Sequence, residues 1–330
     1  MPGQRGGRRA GLGIGLGVAM VLVTALFVYI ARSSMASVSG LPEYRFDPRR
    51  VDVGRSYPDW LVEPALKRAF FAAYLRAAGP AFSLLDDDAI ADFEARLAGC
   101  SWIESVQARP RLPHSMDLQL ILRRPAAAYV DHRGRLWALA EDGKPLPLQP
   151  GKGVRALEQQ LAPLRLAQGP LALPGDERHW DAGMRPFGLP LLFGDAARDG
   201  GHASGGARIA ALVRNRLLPT LGQRVTDLPP FLGVDISNGD LLLVADRSEY
   251  RLIFLDPLGR PVYLDWGHAP GSRYEVLPWQ GKERLFRRLL EVWPHLKGIR
   301  RADLRFPNSW REQVSLRAGG NGEGSEPEGR

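Results

Sequence analysis

The side chains able to do chemistry are few and scattered. Six histidines, His114, His132, His179, His202, His268 and His295, never fall in pairs at helical ligand spacing with a glutamate between, so the zinc-hydrolase pattern is absent. Asp265 and His268 stand close together after a strand-like run, and an Asp-His pair can orient a general base when a nucleophile is near. No G-x-S-x-G elbow or S-x-x-K pattern supplies that nucleophile. The pair reads by default as a surface turn, not as the site of a membrane-tethered wall enzyme. Asp86-Asp87-Asp88 has the charge of a cation site but no further ligands at useful spacing, so the three acids read as a helix cap. Cys100 is the only cysteine; it excludes an internal disulfide and reads as a small core residue. No catalytic residue, metal or cofactor is expected. The formal net charge of +8 comes mostly from scattered arginines. Without a basic-aromatic pattern it describes a solvated surface, and no nucleic-acid partner is expected.

With no catalytic cluster to build around, the elements themselves carry the information. Ala10 to Ala31 contains no charged side chain. At about 1.5 Å rise per residue it matches the hydrocarbon thickness of a bilayer. Secretory cores are shorter, about 7–15 residues, so the run reads as a retained anchor although Ser34-Met35-Ala36 offers a weak cleavage pattern. Residues 1–9 are then a short tail, and the expected arrangement is a cytoplasmic N-terminus with the bulk exported. Flanking arginines do not decide that orientation, because the outer side, with Arg32, Arg45, Arg49 and Arg50, carries no fewer than the inner tail, with Arg5, Arg8 and Arg9. Gly11 with Gly15 and Gly13 with Gly17 are small-xxx-small pairs, candidates for helix packing in the membrane.

Past a linker at 32–49, residues 50–128 read as a small α+β unit in the order β-α-α-β-β. Val51-Asp52-Val53 is the first strand candidate. Pro64 opens a helix with Leu66, Phe70, Ala73 and Tyr74 at helical spacing, and Gly79-Pro80 stops it. A second helix follows the three aspartates, with Ile90, Phe93 and Leu97 on one face. Ile103–Arg109 and Asp117–Arg123 read as strands, the latter alternating Leu118, Leu120 and Leu122.

Residues 129–317 read as a larger strand-rich β domain, expanded at about 145–187, where Leu157–Leu166 is a short helix candidate. Tyr129-Val130 and Arg135–Leu139 form a hairpin around Asp131–Gly134. Ile209–Leu218 reads as a helix. Strands are expected near 231–236, 241–245, 251–255 and 261–264. An amphipathic helix spans Lys282–Trp293 with Leu285, Phe286, Leu289 and Leu290 on its apolar face. Ala302–Phe306 and Gln313–Leu316 are the closing strands. The polar stretch 318–330 is expected to be disordered.

This layout resembles the FtsQ/DivIB family of cell-division proteins: a short tail, one anchor, a POTRA domain and a β domain. The resemblance rests on Ser101-Trp102-Ile103-Glu104-Ser105-Val106, Arg109–Pro113, Leu118-Gln119-Leu120, Arg123-Arg124-Pro125-Ala126-Ala127, Asp131–Gly134, Gly188–Gly194, Lys282–Leu290 and Asp303-Leu304-Arg305-Phe306. Ser101 departs from the family's proline, and Val51–Gly54 matches its first strand poorly. The resemblance implies a non-enzymatic scaffold at the septum, in the inner membrane. Its implied partners are FtsL/FtsB-type single-pass coiled-coil proteins and, indirectly, the septal wall synthase. Docking would use the strand after the Asp-Leu-Arg-aromatic motif, here Phe306 and the segment from Asn308 through Ser309 and Trp310 to Val314. Such an edge can accept a partner segment as an added strand. Phe306 has core packing as its alternative role. A different assembly factor, for export or outer-membrane insertion, is the competing function; against it stand a single small domain and no barrel-like strand series.

Overall fold

The computed structural model describes residues 7–51, 58, 60–166, 170–175, 180–194, 200–237, 250–308 and 311–317. It is a mixed α/β protein with one N-terminal apolar helix and a large strand-rich sheet. Helix α1, Gly7–Ser39, runs beyond the uncharged segment until Gly40 and Pro42 end it. Met20–Ser39, at mean hydropathy 1.7, is long and apolar enough to cross a membrane. Gly11, Gly13, Gly15 and Gly17 all lie within α1.

Contacts divide the chain into two units, Met1–Ser56 with Ala73–Leu122, and Tyr57–Ala72 with Arg123–Arg330. In the first, β1 (Arg45–Phe46) pairs antiparallel with β2 (Phe82–Ser83). Helix α2, Pro64–Ala78, is divided between the units. Helix α3, Asp87–Ala98, starts where the three acids place it: the Asp86 carboxylate accepts the Ala89 N–H at 3.1 Å, and Asp87 and Asp88 stand at the positive helix end. Its stripe Ile90, Phe93 and Leu97 is buried, and Phe93 meets Phe46 and Phe82 at ring distances of 6.1 and 5.3 Å. The hairpin of β3 (Ile103–Arg111) and β4 (Ser115–Leu122) pairs from Ile103↔Leu122 to Arg111↔Ser115. Val51 is in no strand, and Asp52 and Val53 lie outside the described residues.

The second unit is built on a nine-stranded sheet. Its strands are β5 (Pro125–Val130), β6 (Leu136–Ala140), β7 (Pro145–Pro147), β8 (Leu191–Phe193), β9 (Phe231–Asp235), β10 (Tyr250–Leu255), β11 (Pro261–Gly267), β12 (Ile299–Asp303) and β13 (Ser315–Leu316). They lie in the order β13-β12-β11-β10-β9-β8-β5-β6-β7. The pairs β11–β12, β8–β9 and β5–β8 are parallel and the others antiparallel. The expected strand at 241–245 lies outside the described residues.

Helix α4 spans Lys152–Leu161, five residues earlier than expected, because Pro163 cannot continue it. The helix expected at Ile209–Leu218 is a longer run: α5 (Gly200–Leu212), a π-helical turn over Val213–Leu217, and α6 (Leu218–Gly222). Ala207, Ile209, Ala210, Val213 and Leu217 bury it in the core. Helix α7, Trp279–Val292, buries Leu285, Phe286, Leu289 and Leu290 as its periodicity predicts. Phe286 meets Phe254 at 5.0 Å, and Phe254 meets Phe231 at 5.1 Å. Cys100 is buried, as a core thiol should be.

Two hairpins share one turn chemistry. Asp131-His132-Arg133-Gly134-Arg135 joins β5 to β6, and Asp256-Pro257-Leu258-Gly259-Arg260 joins β10 to β11. In each, the aspartate Oδ1 accepts the N–H groups two and four residues on, all at 2.9 Å. Its Oδ2 accepts the arginine Nε, at 2.9 and 2.7 Å. The glycines at φ +79° and +69° occupy the left-handed position that a side chain would strain.

Candidate functional site: an open sheet edge

The last ladder is built outward from β11. Ile299 and Ala302 of β12 face the core, and β12 lies parallel to β11 with Tyr263↔Arg301, Leu264↔Ala302 and Asp265↔Asp303 in register. A chain of charges fixes that register. Arg251 of β10 reaches Asp235 of β9 at 3.5 Å and Asp265 of β11 at 3.2 Å, and Arg301 of β12 reaches Asp265 at 2.6 Å. Burial raises the Asp235 carboxyl above its ordinary value, against hydrogen bonds from Ser237 and the charge of Arg251. Asp265 is therefore not the surface-turn residue expected. It lies within β11, 2% exposed, with two guanidinium groups on its carboxylate. His268 follows β11, half-buried, with its ring 5.4 Å from Tyr274.

The strand expected over Ala302–Phe306 runs instead over Ile299–Asp303, and side-chain chemistry explains the difference. Leu304 extends the ladder by one bond, its N–H donating to the Asp265 carbonyl at 3.0 Å. The Asp303 carboxylate then accepts the Arg305 backbone N–H at 2.8 Å and its guanidinium Nη2 at 2.6 Å. This local ring curls the chain out of the sheet. Phe306 lands outside the core, 40% exposed, with the Arg305 guanidinium 5.1 Å from its ring centre.

Asn308 is exposed in a bend and 311–313 form a turn, so the segment from Asn308 to Val314 is not a strand at its described residues. Ser309 and Trp310 lie outside the described residues. Val314 is half-buried and packs on the core cluster. The edge strand follows directly. In β13, Ser315 pairs with Arg301 and Leu316 with Ile299. Arg317 closes it: its N–H donates to the Gly298 carbonyl at 2.9 Å, and its guanidinium donates to the Pro261 carbonyl. Inward and outward backbone groups alternate along an edge strand, so the N–H and C=O of Leu316 face away from β12. Its side chain is 56% exposed.

The two borders of the sheet differ. At the far side, β7 is Pro145-Leu146-Pro147, so two of its three residues have no N–H to offer. A partner strand finds at most one donor there. Among the described residues β13 carries no proline and no strand outside it. Sequence reasoning marked Phe306 and 308–314 and passed over Ser315 and Leu316 as site residues. The signal was available in the step from half-buried Val314 to a polar-apolar pair without glycine or proline.

Among the described residues, no group of three or more His, Cys, Asp or Glu gathers to hold a metal. No protein-family model matches the chain, and no curated protein is similar to it in sequence. What the edge does must be read from its own geometry. Unpaired backbone groups beside an exposed apolar side chain can accept a strand from another polypeptide.

Proposed function

We propose that the protein is a non-enzymatic, membrane-anchored scaffold of the bacterial division machinery, of the FtsQ/DivIB kind. The chain sits in the inner membrane at the septum, with its N-terminus cytoplasmic and its bulk periplasmic. A POTRA-like domain precedes the β domain. FtsL/FtsB-type single-pass coiled-coil proteins dock by adding a strand outside β13, and through them the septal wall synthase is recruited. One observation carries this reading: among the described residues no strand lies outside β13, and the backbone groups of Leu316 are directed away from β12.

Leu316→Pro tests it in the full-length, membrane-bound chain. The substitution removes an outward N–H and leaves the inward bond of Arg317 in place. The expected result is partner binding weakened by about tenfold or more, equivalent to about 1.4 kcal/mol, with an unchanged melting temperature. Cells depleted of the protein should fail to septate, and the variant should not rescue them. Undiminished partner affinity in a folded Leu316→Pro chain would remove the edge from the mechanism.

A further inference from the structure

Three parallel strands begin at one end of the large sheet, and arginines gather there. β5, β8 and β9 run in the same direction. Arg124 directly precedes β5. Arg185 lies before β8, and its Nη1 donates to the carbonyl of Phe231, the first residue of β9, at 3.2 Å. Arg214 comes from the π-helical turn Val213–Leu217. Its neighbour ties that turn to the same end: Asn215 donates to the Glu141 carboxylate at 3.0 Å, and Glu141 follows Ala140, the register partner of Pro125. Val213 and Leu217 are fully buried, so the wide turn holds Arg214, Asn215 and Arg216 on its outer side. Turns of this kind are rare inside helices and recur at functional sites.

The charges at this end are unbalanced. Arg123 is closed on Asp142 at 3.0 Å. The guanidinium groups of Arg124 and Arg214 make no hydrogen bond or ion pair among the described residues. Arg124 is exposed and Arg214 half-buried. In Arg214 the Nη1 is buried without a partner, while Nε and Nη2 stay open to solvent. Burial lowers the Arg214 guanidinium from its ordinary pKa, and the charges of Arg124 and Arg185 lower it further; Glu141 alone pulls the other way. The two acids nearby are already engaged, Glu141 by Asn215 and Asp181 by the Gly183 N–H at 2.9 Å. A cation withdrawn from water without a counter-ion is costly, and like charges beside it add to the cost. A bound anion relieves both. Donors arriving from three separate elements suit a tetrahedral oxyanion better than a planar carboxylate, and the arginine fork takes phosphate oxygens in pairs.

We propose that this end of the sheet binds a phosphoryl group, its oxygens received by Arg124 and by the open Nε and Nη2 of Arg214, with Arg185 adding positive charge behind them. The group belongs either to free phosphate or to a phospholipid head. The site is separate from strand docking at β13 and does not depend on it.

The test is calorimetric titration of the full-length chain in neutral detergent micelles at low salt, where surface charges are least screened. Three probes are used: inorganic phosphate, glycerophosphoglycerol as the head of an anionic phospholipid, and acetate. Saturable binding of at least one phosphoryl probe at a Kd of about 1 mM or tighter supports the site, and the tighter of the two identifies the source. Acetate should bind at least tenfold more weakly. Arg124→Gln and Arg214→Gln should each weaken phosphoryl binding about fivefold or more. Arg155→Gln, which removes an exposed charge on α4, should leave it unchanged. Arg124 is exposed, so its variant keeps the fold and decides the matter if Arg214→Gln does not fold. No binding of either phosphoryl probe, acetate binding as tight as phosphate, full affinity in Arg124→Gln, or an equal loss in Arg155→Gln would overturn the proposal.

Discussion

Arg301 donates to Asp265 at 2.6 Å across the parallel pair of β11 and β12, while Arg251 approaches the same carboxylate at 3.2 Å from β10. One buried acid thus ties three neighbouring strands, and the border strand β13 pairs with the last of them. Asp265→Asn keeps the shape and removes the charge, taking from the largely buried Arg251 its nearer carboxylate and leaving it only Asp235 at 3.5 Å. Breaking a buried pair in this way costs about 3 kcal/mol. Urea unfolding followed by tryptophan fluorescence should read that loss. A change below about 1 kcal/mol, the scale of a surface pair, would mean that apolar packing alone sets the β11–β12 register.

The paired turns make a second prediction with a definite pH sign. Burial alone would raise the Asp131 carboxyl. Hydrogen bonds from the Arg135 and Arg133 backbone, the Trp137 indole and the Arg135 side chain outweigh it and hold the group below its ordinary value. A depressed carboxylate stabilises the fold at pH above its unfolded value of about 3.9 and loses that contribution as pH falls through the folded value. Asp131→Asn should therefore cost about 1–3 kcal/mol at pH 7. The gap to wild type should close in unfolding curves taken below about pH 4. A gap that does not change with pH would show that the turn needs only the shape of the side chain.

Gly233 of β9 faces Leu191 of β8 in the parallel register, and a Cβ on it would overlap the Leu191 carbonyl. The obstruction is backbone, which cannot swing aside as a side chain tip can. Gly233→Ala should destabilise by about 3 kcal/mol, the upper range of overpacking costs, and lower the melting temperature accordingly. A melting temperature within experimental error of wild type would place more space between β8 and β9 than the structure has.

Where the sequence spoke clearly, a local rule and the tertiary context agreed. The acids before α3, the apolar stripe of α7 and the D-x-x-G turn at 131–134 each state their own geometry. The failures have physical causes. Gly200–Gly206 does not read as helix because glycine disfavours one by about 1 kcal/mol per residue, yet α5 begins there. Burial against the sheet outweighs propensity at Gly205 and Gly206, which approach Tyr250 and Ile236 closely. β7 is hidden because prolines argue against a strand, although a sheet border tolerates them. At the site, Ala302–Phe306 alternates like a strand, and only the capture of Arg305 by Asp303 removes Phe306 from it. Such a competition between a side-chain ring and a ladder is invisible to periodicity.

Lys282 lies on the first turns of α7, 2% exposed, with its ammonium 4.2 Å from the centre of the Trp266 ring. Burial lowers its pKa from 10.5 to about 8, against the pull of Glu275 and Asp303 in the other direction. Below about pH 8 both folded and unfolded chains carry the proton, and the folded chain bears the cost of the buried charge. Between about 8 and 10.5 the folded lysine is neutral while the unfolded one remains charged, so stability rises with pH. The displacement from 10.5 to about 8 corresponds to about 3 kcal/mol. Lys282→Met fills similar volume without the charge. It should be more stable than wild type at pH 7 by about 1–3 kcal/mol, after loss of the cation–π contact. Urea unfolding at pH 7 and pH 9.5 should show that advantage shrinking at the higher pH, because wild type has by then released its proton. If wild type is the more stable protein at pH 7, the contacts with Trp266, Glu275 and Asp303 outweigh the desolvation of the ammonium, and Lys282 is a strut of the sheet rather than a burden on it.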